Sequence, residues 1–422
     1  VTLCRFEDRL AGEAKVLSGL RQRITACSSA ELPAAFAAIQ TAQRAGYWIA
    51  LMLDYELGEW FEPTLQPTAR AAQTELPTPT GAAQTHLKPR SRLTALVFDS
   101  ATIEKPWSLS RIEKAEAETG TEAETATATG TETETGATTP ASITSVTTSL
   151  SQADYFDRIR KIKEWIVQGE VYQINSTFAL NVSTQGSAQQ LYRQLANQHP
   201  SAHAAFIEDD AQTVLSFSPE LFLQRYGTTL VTRPMKGTAP RSSDPFEDQQ
   251  LAQRLQASDK DRAENLMIVD LLRNDLGRIA IPGSVVAEPL FSLEAYPSVW
   301  TMTSTIQAQI AAETSLEQIL RALFPCGSIT GAPKIAAMKR IQQTEAQPRG
   351  LYCGSLGWLA PNGDFSLNVA IRTLLLRQDG SGLYHVGGGI VHDSVAALEW
   401  DECHWKARIV IARPEPTQSL SY

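Results

Sequence analysis

The sequence predicts an α+β protein built on antiparallel sheets. Two observations lead there. After residue 150, helical periodicity alternates with short strand-like apolar runs. Neighbouring runs are separated by the turn signals Pro361-Asn362-Gly363-Asp364 and Asp379-Gly380-Ser381-Gly382, which suit hairpins. Hairpins join antiparallel strands, whereas a doubly wound parallel sheet needs a long crossover between each pair.

Taken in order, 47–55 is an apolar run of buried-strand character and 93–98 is a second short strand. Residues 115–150 are low-complexity, first Ala/Glu/Thr/Gly and then Thr/Ser. They offer too little apolar area to offset ordering entropy, so they read as a surface loop or linker. That stretch separates a front part, 1–114, from a catalytic-sized part, 151–412, with a tail at 413–422. In the larger part helical spacing marks 152–168, 187–197, 246–256, 259–276, 315–323, 333–343 and 394–411. Strand character marks 172–182, 204–208, 213–216, 221–226, 285–289, 299–309, 354–359, 365–377 and 383–387. Pro333 suits a first helical position and Asp393 suits an N-cap.

Composition narrows the class. The net charge is −9, and six glutamates between Ala115 and Pro140 supply two thirds of it. The remainder is near neutral, which argues against sequence-independent nucleic-acid binding. Five scattered cysteines without a CxxC pair fit a reduced, cytoplasmic protein. No apolar stretch approaches the ~20 residues that cross a bilayer, so no membrane partner is expected. The first residues carry no signal-peptide core.

Arg233-Pro234-Met235-Lys236-Gly237-Thr238 places one lysine in a Pro/Gly-bounded turn after an apolar run. Such a lysine is either a solvated loop residue or a nucleophile, and the second needs burial or nearby charge to lower its pKa. Two acidic pairs at i, i+3 lie on helices: Asp261 with Glu264, and Glu399 with Glu402. Glu402 shares a helical stripe with Val395, Leu398, Trp405 and Ile409, and Glu264 lines up with Ile268 and Leu271. Two readings stay open. The acids pair with Lys406, Arg262 or Lys260 on solvated faces, or they hold a hard cation, Mg²⁺ by their oxygen-only donors.

Val386-Gly387-Gly388-Gly389-Ile390 runs from a strand toward the last helix and leaves backbone N–H groups open to an anion. Gly327-Ser328-Ile329-Thr330-Gly331-Ala332-Pro333-Lys334 also leads into a helix. Arg372, inside an apolar strand, calls for a carboxylate or phosphate partner, and Tyr352 adds a phenolic hydroxyl. Together these residues suit a small polyanion held near a lysine.

The same segments resemble one family, the chorismate-utilising enzymes. The resemblance rests on Ser218-Pro219-Glu220-Leu221-Phe222, Pro234-Met235-Lys236-Gly237-Thr238 and Ala263-Glu264-Asn265-Leu266-Met267-Ile268-Val269-Asp270-Leu271-Leu272-Arg273-Asn274-Asp275. It continues through the 327–334 segment, Ala370-Ile371-Arg372-Thr373, the 387–391 segment and Glu399-Trp400-Asp401-Glu402-Cys403. It covers essentially all of 151–412. Gly46-Tyr47-Trp48 and Tyr55-Glu56-Leu57-Gly58 look like the family's divergent front.

The resemblance implies a large four-layer α/β/β/α sandwich with two packed, mainly antiparallel sheets. It implies Mg²⁺ held by Glu264 and Glu402, with Asp261 and Glu399 in support. It assigns substrate contacts to Gly237, Thr238, Thr330, Tyr352, Arg372 and the amides of Gly387, Gly388 and Gly389. Glu220 becomes the general acid and Lys236 the nucleophile. Anthranilate synthases usually carry alanine at the Lys236 position. Isochorismate and salicylate synthases place a water-activating lysine where this chain has Gln173. Thr301 stands where the family often has a histidine, which would impair ring-proton removal with pyruvate loss. These positions point to the branch that makes 4-amino-4-deoxychorismate, with ammonia from a separate glutamine amidotransferase subunit. Anthranilate formation and a non-catalytic chorismate-binding regulatory subunit are the competing readings.

Overall fold

Each helix expected after residue 150 forms, and local chemistry starts most of them. Ser151 accepts from Asp154 N, Asp244 from Phe246 N and Glu247 N, and Ser258 from Asp261 N. Ser315 and Gln318 make a reciprocal capping box for Leu316–Leu323. The structure is a computed structural model, and it describes residues 2–65, 90–109, 140–210, 212–296 and 299–411.

Seventeen strands belong to one hydrogen-bonded sheet and three to a second among the described residues. From one edge the large sheet runs Val286–Ala287, Ile306–Gln309, Thr229–Arg233, Leu221–Tyr226, Phe365–Val369, Ser355–Leu359, Trp48–Leu53, Leu93–Glu104. It continues through Glu13–Ala26, Leu3–Asp8, His203–Glu208, Thr213–Ser218, Thr373–Leu376 and Ser381–Ile390 to Gln173–Gln185. Ser142–Thr148 and Gly331–Ala332 share the last edge. Every one of these pairings is antiparallel.

The long strands Glu13–Ala26 and Leu93–Glu104 carry the sheet from one half to the other, with a register shift at Leu20/Gln22. The halves pack face to face. Phe6, Leu17, Met52, Leu96, Val214 and Leu356, drawn from both, form the core between them. Helices cover the outer faces. Leu32–Arg44 and Asp259–Gly277 lie on the first half. Gln152–Val167, Ala188–Gln198, Lys334–Thr344 and Ala396–Ala407 lie on the second. This is the expected four-layer sandwich, with its two sheets joined through hydrogen bonds.

Several local expectations change. The 299–309 run divides into Val299–Thr303 in the small sheet and Ile306–Gln309 in the large one. The 365–377 run breaks at Ala370-Ile371-Arg372, where Arg372 takes φ 49 and no strand can continue. Within the Thr/Ser-rich end of the low-complexity stretch, Ser142–Thr148 forms an edge strand, consistent with β-branched threonines. Residues 115–139 of that stretch, and the 413–422 tail, lie outside the described residues. The front and larger parts share sheets in both halves, through Leu3–Asp8 with His203–Glu208 and Trp48–Leu53 with Ser355–Leu359.

Candidate active site

Lys236 lies on a strand, Met235–Pro240, where a turn was expected. The strand pairs with Val299–Thr303, setting Thr238 opposite Thr301, and its register shifts between Met235 and Thr238. The bulge explains how a Pro/Gly-flanked lysine enters a sheet: the extra residues need not join the ladder. Gly237 has φ 84, which glycine adopts without steric cost, and a Cβ there would sit 3.1 Å from Asp261. A Cβ at Gly389 would lie 3.1 Å from Lys236 Nζ and 3.1 Å from the Gln173 carboxamide. Three separate strands therefore converge on the amine.

Glu220 closes the strand end after Ser218 and is buried. Its Oε1 accepts from Ser328 Oγ at 2.7 Å. Burial pushes its carboxyl up to about 7, against the opposing pull of Ser328, Lys236, the Met235 N–H and Arg372. Burial also lowers the Lys236 amine, aided by Lys406 and resisted by Glu264, Glu220 and Glu402. A carboxyl whose pKa is raised beside an amine whose pKa is lowered is the direction of shift that acid-assisted nucleophilic chemistry calls for.

The acidic helices meet at the same place. Burial raises the Glu264 carboxyl; Lys236 and Lys260 lower it, while Asp261 and Glu402 raise it. Burial likewise raises Glu399, with Glu402 adding to it against Ser394. Desolvation pushes Glu402 up too, but Lys406 Nζ at 2.7 Å, together with Lys236 and Lys260, holds the carboxyl below its usual value. Lys260 approaches Glu264 at 3.9 Å, and Arg262 instead covers the Phe291 ring. Both open readings thus find a counterpart: lysine pairs are present, and like charges crowd. Glu399 is held by Ser394 Oγ at 2.7 Å. The donors suit a hard cation by type, with Glu264 and Glu402 the pair that faces Lys236. Among the described residues, no three His, Cys, Asp or Glu side chains are grouped to hold a metal ion.

The last helix corrects two expectations. It begins at Ala396 after Val395, and Asp393 pairs with His392 and does not cap. Ser394 takes the Val391 N–H instead. Its Val395, Leu398 and Trp405 stripe is exposed, and Cys403 and Ala407 face the core. Glu402 is therefore an exposed-face residue beside the site, not a buried one within an apolar stripe.

The triglycine run also differs from expectation, since Gly387, Gly388 and Gly389 lie inside the strand Ser381–Ile390, opposite Thr177, Ser176 and Asn175. On its other side that strand is paired only at Gly382, Leu383 and Tyr384. Among the described residues no strand covers the second edge at the glycines, where Gly387 O accepts from Lys406 Nζ. A Cβ at Gly388 would lie 3.1 Å from Glu399 Oε2. Arg372 sits in the strand break with positive φ, and no hydrogen bond or ion pair of its guanidinium appears among the described contacts. Tyr352 is buried, stacked on His385 at 5.1 Å, and is followed by Cys353 at φ 61. Two non-glycine residues in left-handed conformations flank the site, a form of strain that clusters where ligands bind. Thr330 is fully buried with its hydroxyl on Cys326 O at 2.8 Å, and Thr238 is exposed.

Sequence reading gave no site role to Ser328 or Lys406. Ser328 holds Glu220, and Lys406 joins Glu402 to Gly387 O at 2.7 Å. Lys406 follows Glu402 by four residues, a visible signal; the Ser328–Glu220 contact spans 108 residues and has none. Gln173 is fully buried, and neither of its carboxamide atoms has a partner among the described residues. An unpaired buried amide beside the Lys236 amine is costly unless something binds there.

A sandwich of this kind, with a buried amine of lowered pKa, a carboxyl of raised pKa, a carboxylate pair and an arginine in a strand break, has the make-up of an enzyme site for a small organic anion. The chain belongs to the chorismate-binding enzymes, whose family model matches residues 6–412. It is 42% identical over 283 residues to aminodeoxychorismate synthase component 1 of Klebsiella aerogenes, a match covering 66% of this chain and 62% of that protein. The component 1 of Bacillus subtilis is 34% identical over 322 residues, 74% of this chain and 68% of that one. Anthranilate synthase component 1 of Streptomyces coelicolor is 37% identical over 63% of this chain and 52% of its own length. The fold matches anthranilate synthase component I of Streptococcus pneumoniae with a TM-score of 0.68 at 24% identity, covering 86% of this chain and 80% of that one. It also matches the menaquinone-specific isochorismate synthase of Escherichia coli, with TM-score 0.68, 17% identity and coverage of 96% and 87%.

Proposed function

We propose that this chain aminates chorismate at C4, giving 4-amino-4-deoxychorismate. The observation that carries the reading is the position of Lys236 Nζ beside Gly389 and Gln173, on the same site as the buried Glu220, whose carboxyl is pushed up to about 7. Lys236 attacks C2 of the ring diene as the C4 hydroxyl leaves with the Glu220 proton. The ring double bonds shift, and one water is released. Ammonia then bonds to C4 and expels the Lys236 amine from C2. The net change exchanges hydroxyl for amine, and one demanding displacement becomes two easier ones.

Arg372, Tyr352 and the backbone of 387–389 hold the side-chain carboxylate. Glu264 and Glu402, supported by Asp261 and Glu399, would hold Mg²⁺, which when bound supplies positive charge for the ring carboxylate. Thr301 has no base to offer near neutral pH, which favours amination over pyruvate loss. The similar proteins named component 1 support a partner subunit, and a glutamine amidotransferase is the source of ammonia that fits this chemistry.

Incubation with chorismate, Mg²⁺ and ammonium at mildly alkaline pH, with products identified by mass, tests the reading. It expects 4-amino-4-deoxychorismate. Fluorescent anthranilate as the main product would replace it with the lyase reading, and chorismate binding without turnover would leave a regulatory subunit.

A further inference from the structure

The Tyr55-Glu56-Leu57-Gly58 segment takes no part in the chemistry above, yet it is buried and tied to the site's loops. Glu56 Oε1 accepts from Arg349 N at 2.6 Å and its Oε2 from Gly350 N at 3.0 Å. Tyr55 N donates to Gly350 O at 2.7 Å. One residue's two carboxylate oxygens thus fix two successive peptides just ahead of Tyr352. Gly350, at φ 61, allows that turn. Gly58 approaches Pro325 so closely that a Cβ would lie 2.5 Å from the proline ring, directly before the 326–331 loop.

Arg349 carries the constraint further. It is 2% exposed and its guanidinium lies 4.5 Å from the centre of the Tyr55 ring. Nη1 donates to Ile329 O at 3.1 Å and Nη2 to Asn175 O at 2.6 Å. Nε and Nη2 also bind Glu345, whose Oε1 takes the Thr177 N–H at 3.0 Å. Ile329 follows Ser328, which holds Glu220, and Asn175 lies two residues from Gln173 and opposite Gly389. The hydrogen bonds of one arginine therefore link the loop bearing the acid's partner to the strand lining the nucleophile. A planar five-donor group is suited to bridging carbonyls in fixed directions, and lysine cannot reproduce that.

We infer that Glu56 and Arg349 are positioning residues for this site: Glu56 fixes the 349–350 peptides, and Arg349 sets the 327–330 loop against the 173–175 strand. The inference rests on the proposed amination for its kinetic arm alone. Neither side chain touches the reacting atoms, so both act through Ser328, Tyr352 and Gln173.

The test compares full-length wild type with Glu56→Gln, which keeps one acceptor oxygen, and with Arg349→Lys, which keeps the charge but loses the fork. Hydrogen exchange is read on peptides covering 326–332 and 349–354, with 93–104 as an internal reference. Both variants should exchange faster in the first two regions and unchanged in the third. For chorismate and ammonium, Glu56→Gln should raise KM with a smaller change in kcat, and Arg349→Lys should lower kcat/KM by roughly 10- to 100-fold, the scale set by small misplacements of reacting groups. Unchanged exchange at 326–332 and 349–354, or unaltered kinetics in both variants while wild type turns over, overturns the inference. Faster exchange everywhere, the reference included, overturns it as well by showing a general loss of fold. An inactive wild type with the expected local exchange change overturns the amination reading and leaves the positioning intact.

Discussion

Removing the Ser328 hydroxyl should move the alkaline limb of the activity profile to higher pH. Ser328 Oγ donates to Glu220 Oε1 at 2.7 Å, a bond that favours the charged carboxylate and so pulls its pKa down. Hydrogen bonds to charged groups are worth about 1.5–3 kcal/mol. At about 1.4 kcal/mol per pH unit, that is roughly one to two units. Lys236, the Met235 N–H and Arg372 still favour the charged form in Ser328→Ala, so the lower end applies. In the proposed mechanism Glu220 gives up a proton, so activity is expected to fall as pH rises through its pKa, about 7 in the wild type. In Ser328→Ala the fall should begin about one unit higher. The assay is kcat/KM for chorismate against pH, with free ammonia held constant so that the nucleophile does not titrate alongside. A limb that stays in place, or that moves to lower pH, refutes the role given to Glu220.

Glu220→Gln should gain stability over wild type as pH rises. Burial pushes the carboxyl from 4.5 to about 7, so the folded state resists its ionisation. The cost is absent below 4.5, grows between 4.5 and 7, and reaches about 3 kcal/mol above that window. Urea unfolding at pH 4.5 and 8 checks it, and an equal difference at both would contradict the burial. Gln173→Leu should raise the unfolding temperature by removing an unpaired buried amide, worth about 1–3 kcal/mol, while lowering kcat/KM. Calorimetry and kinetics on one preparation check the two directions together. Chelation should abolish turnover and Mg²⁺ should restore it, with Glu264→Gln and Glu402→Gln each needing more metal. Full activity in a chelator excludes the carboxylate pair as a metal site.

Much of the architecture was readable in advance, because helix caps and periodic apolar spacing are local. The helices at Gln152–Val167 and Asp259–Gly277 illustrate this, with serine caps directly ahead of them. The candidate site residues came from resemblance, since periodicity does not record that Lys236 meets Gly389 and Gln173, which lie on strands far apart in sequence. What stayed hidden has a common cause. Apolar alternation across 299–309 does not record which sheet each half joins. The positive φ of Arg372 leaves no trace in composition. The stripe through Val395, Leu398 and Trp405 has helical spacing yet faces outward, because Cys403 and Ala407, small residues, let the other side of the helix approach the sheet. The bridging by Arg349 joins carbonyls that only the folded chain brings together.

Intact-protein mass after a brief chorismate pulse without ammonia is the most direct test of the proposed covalent role of Lys236. The wild type should gain the mass of chorismate less one water, mapped by fragmentation to Lys236, and should lose it when ammonium is added. Lys236→Ala should gain nothing. Steady formation of 4-amino-4-deoxychorismate by Lys236→Ala at the wild-type rate would contradict the covalent route.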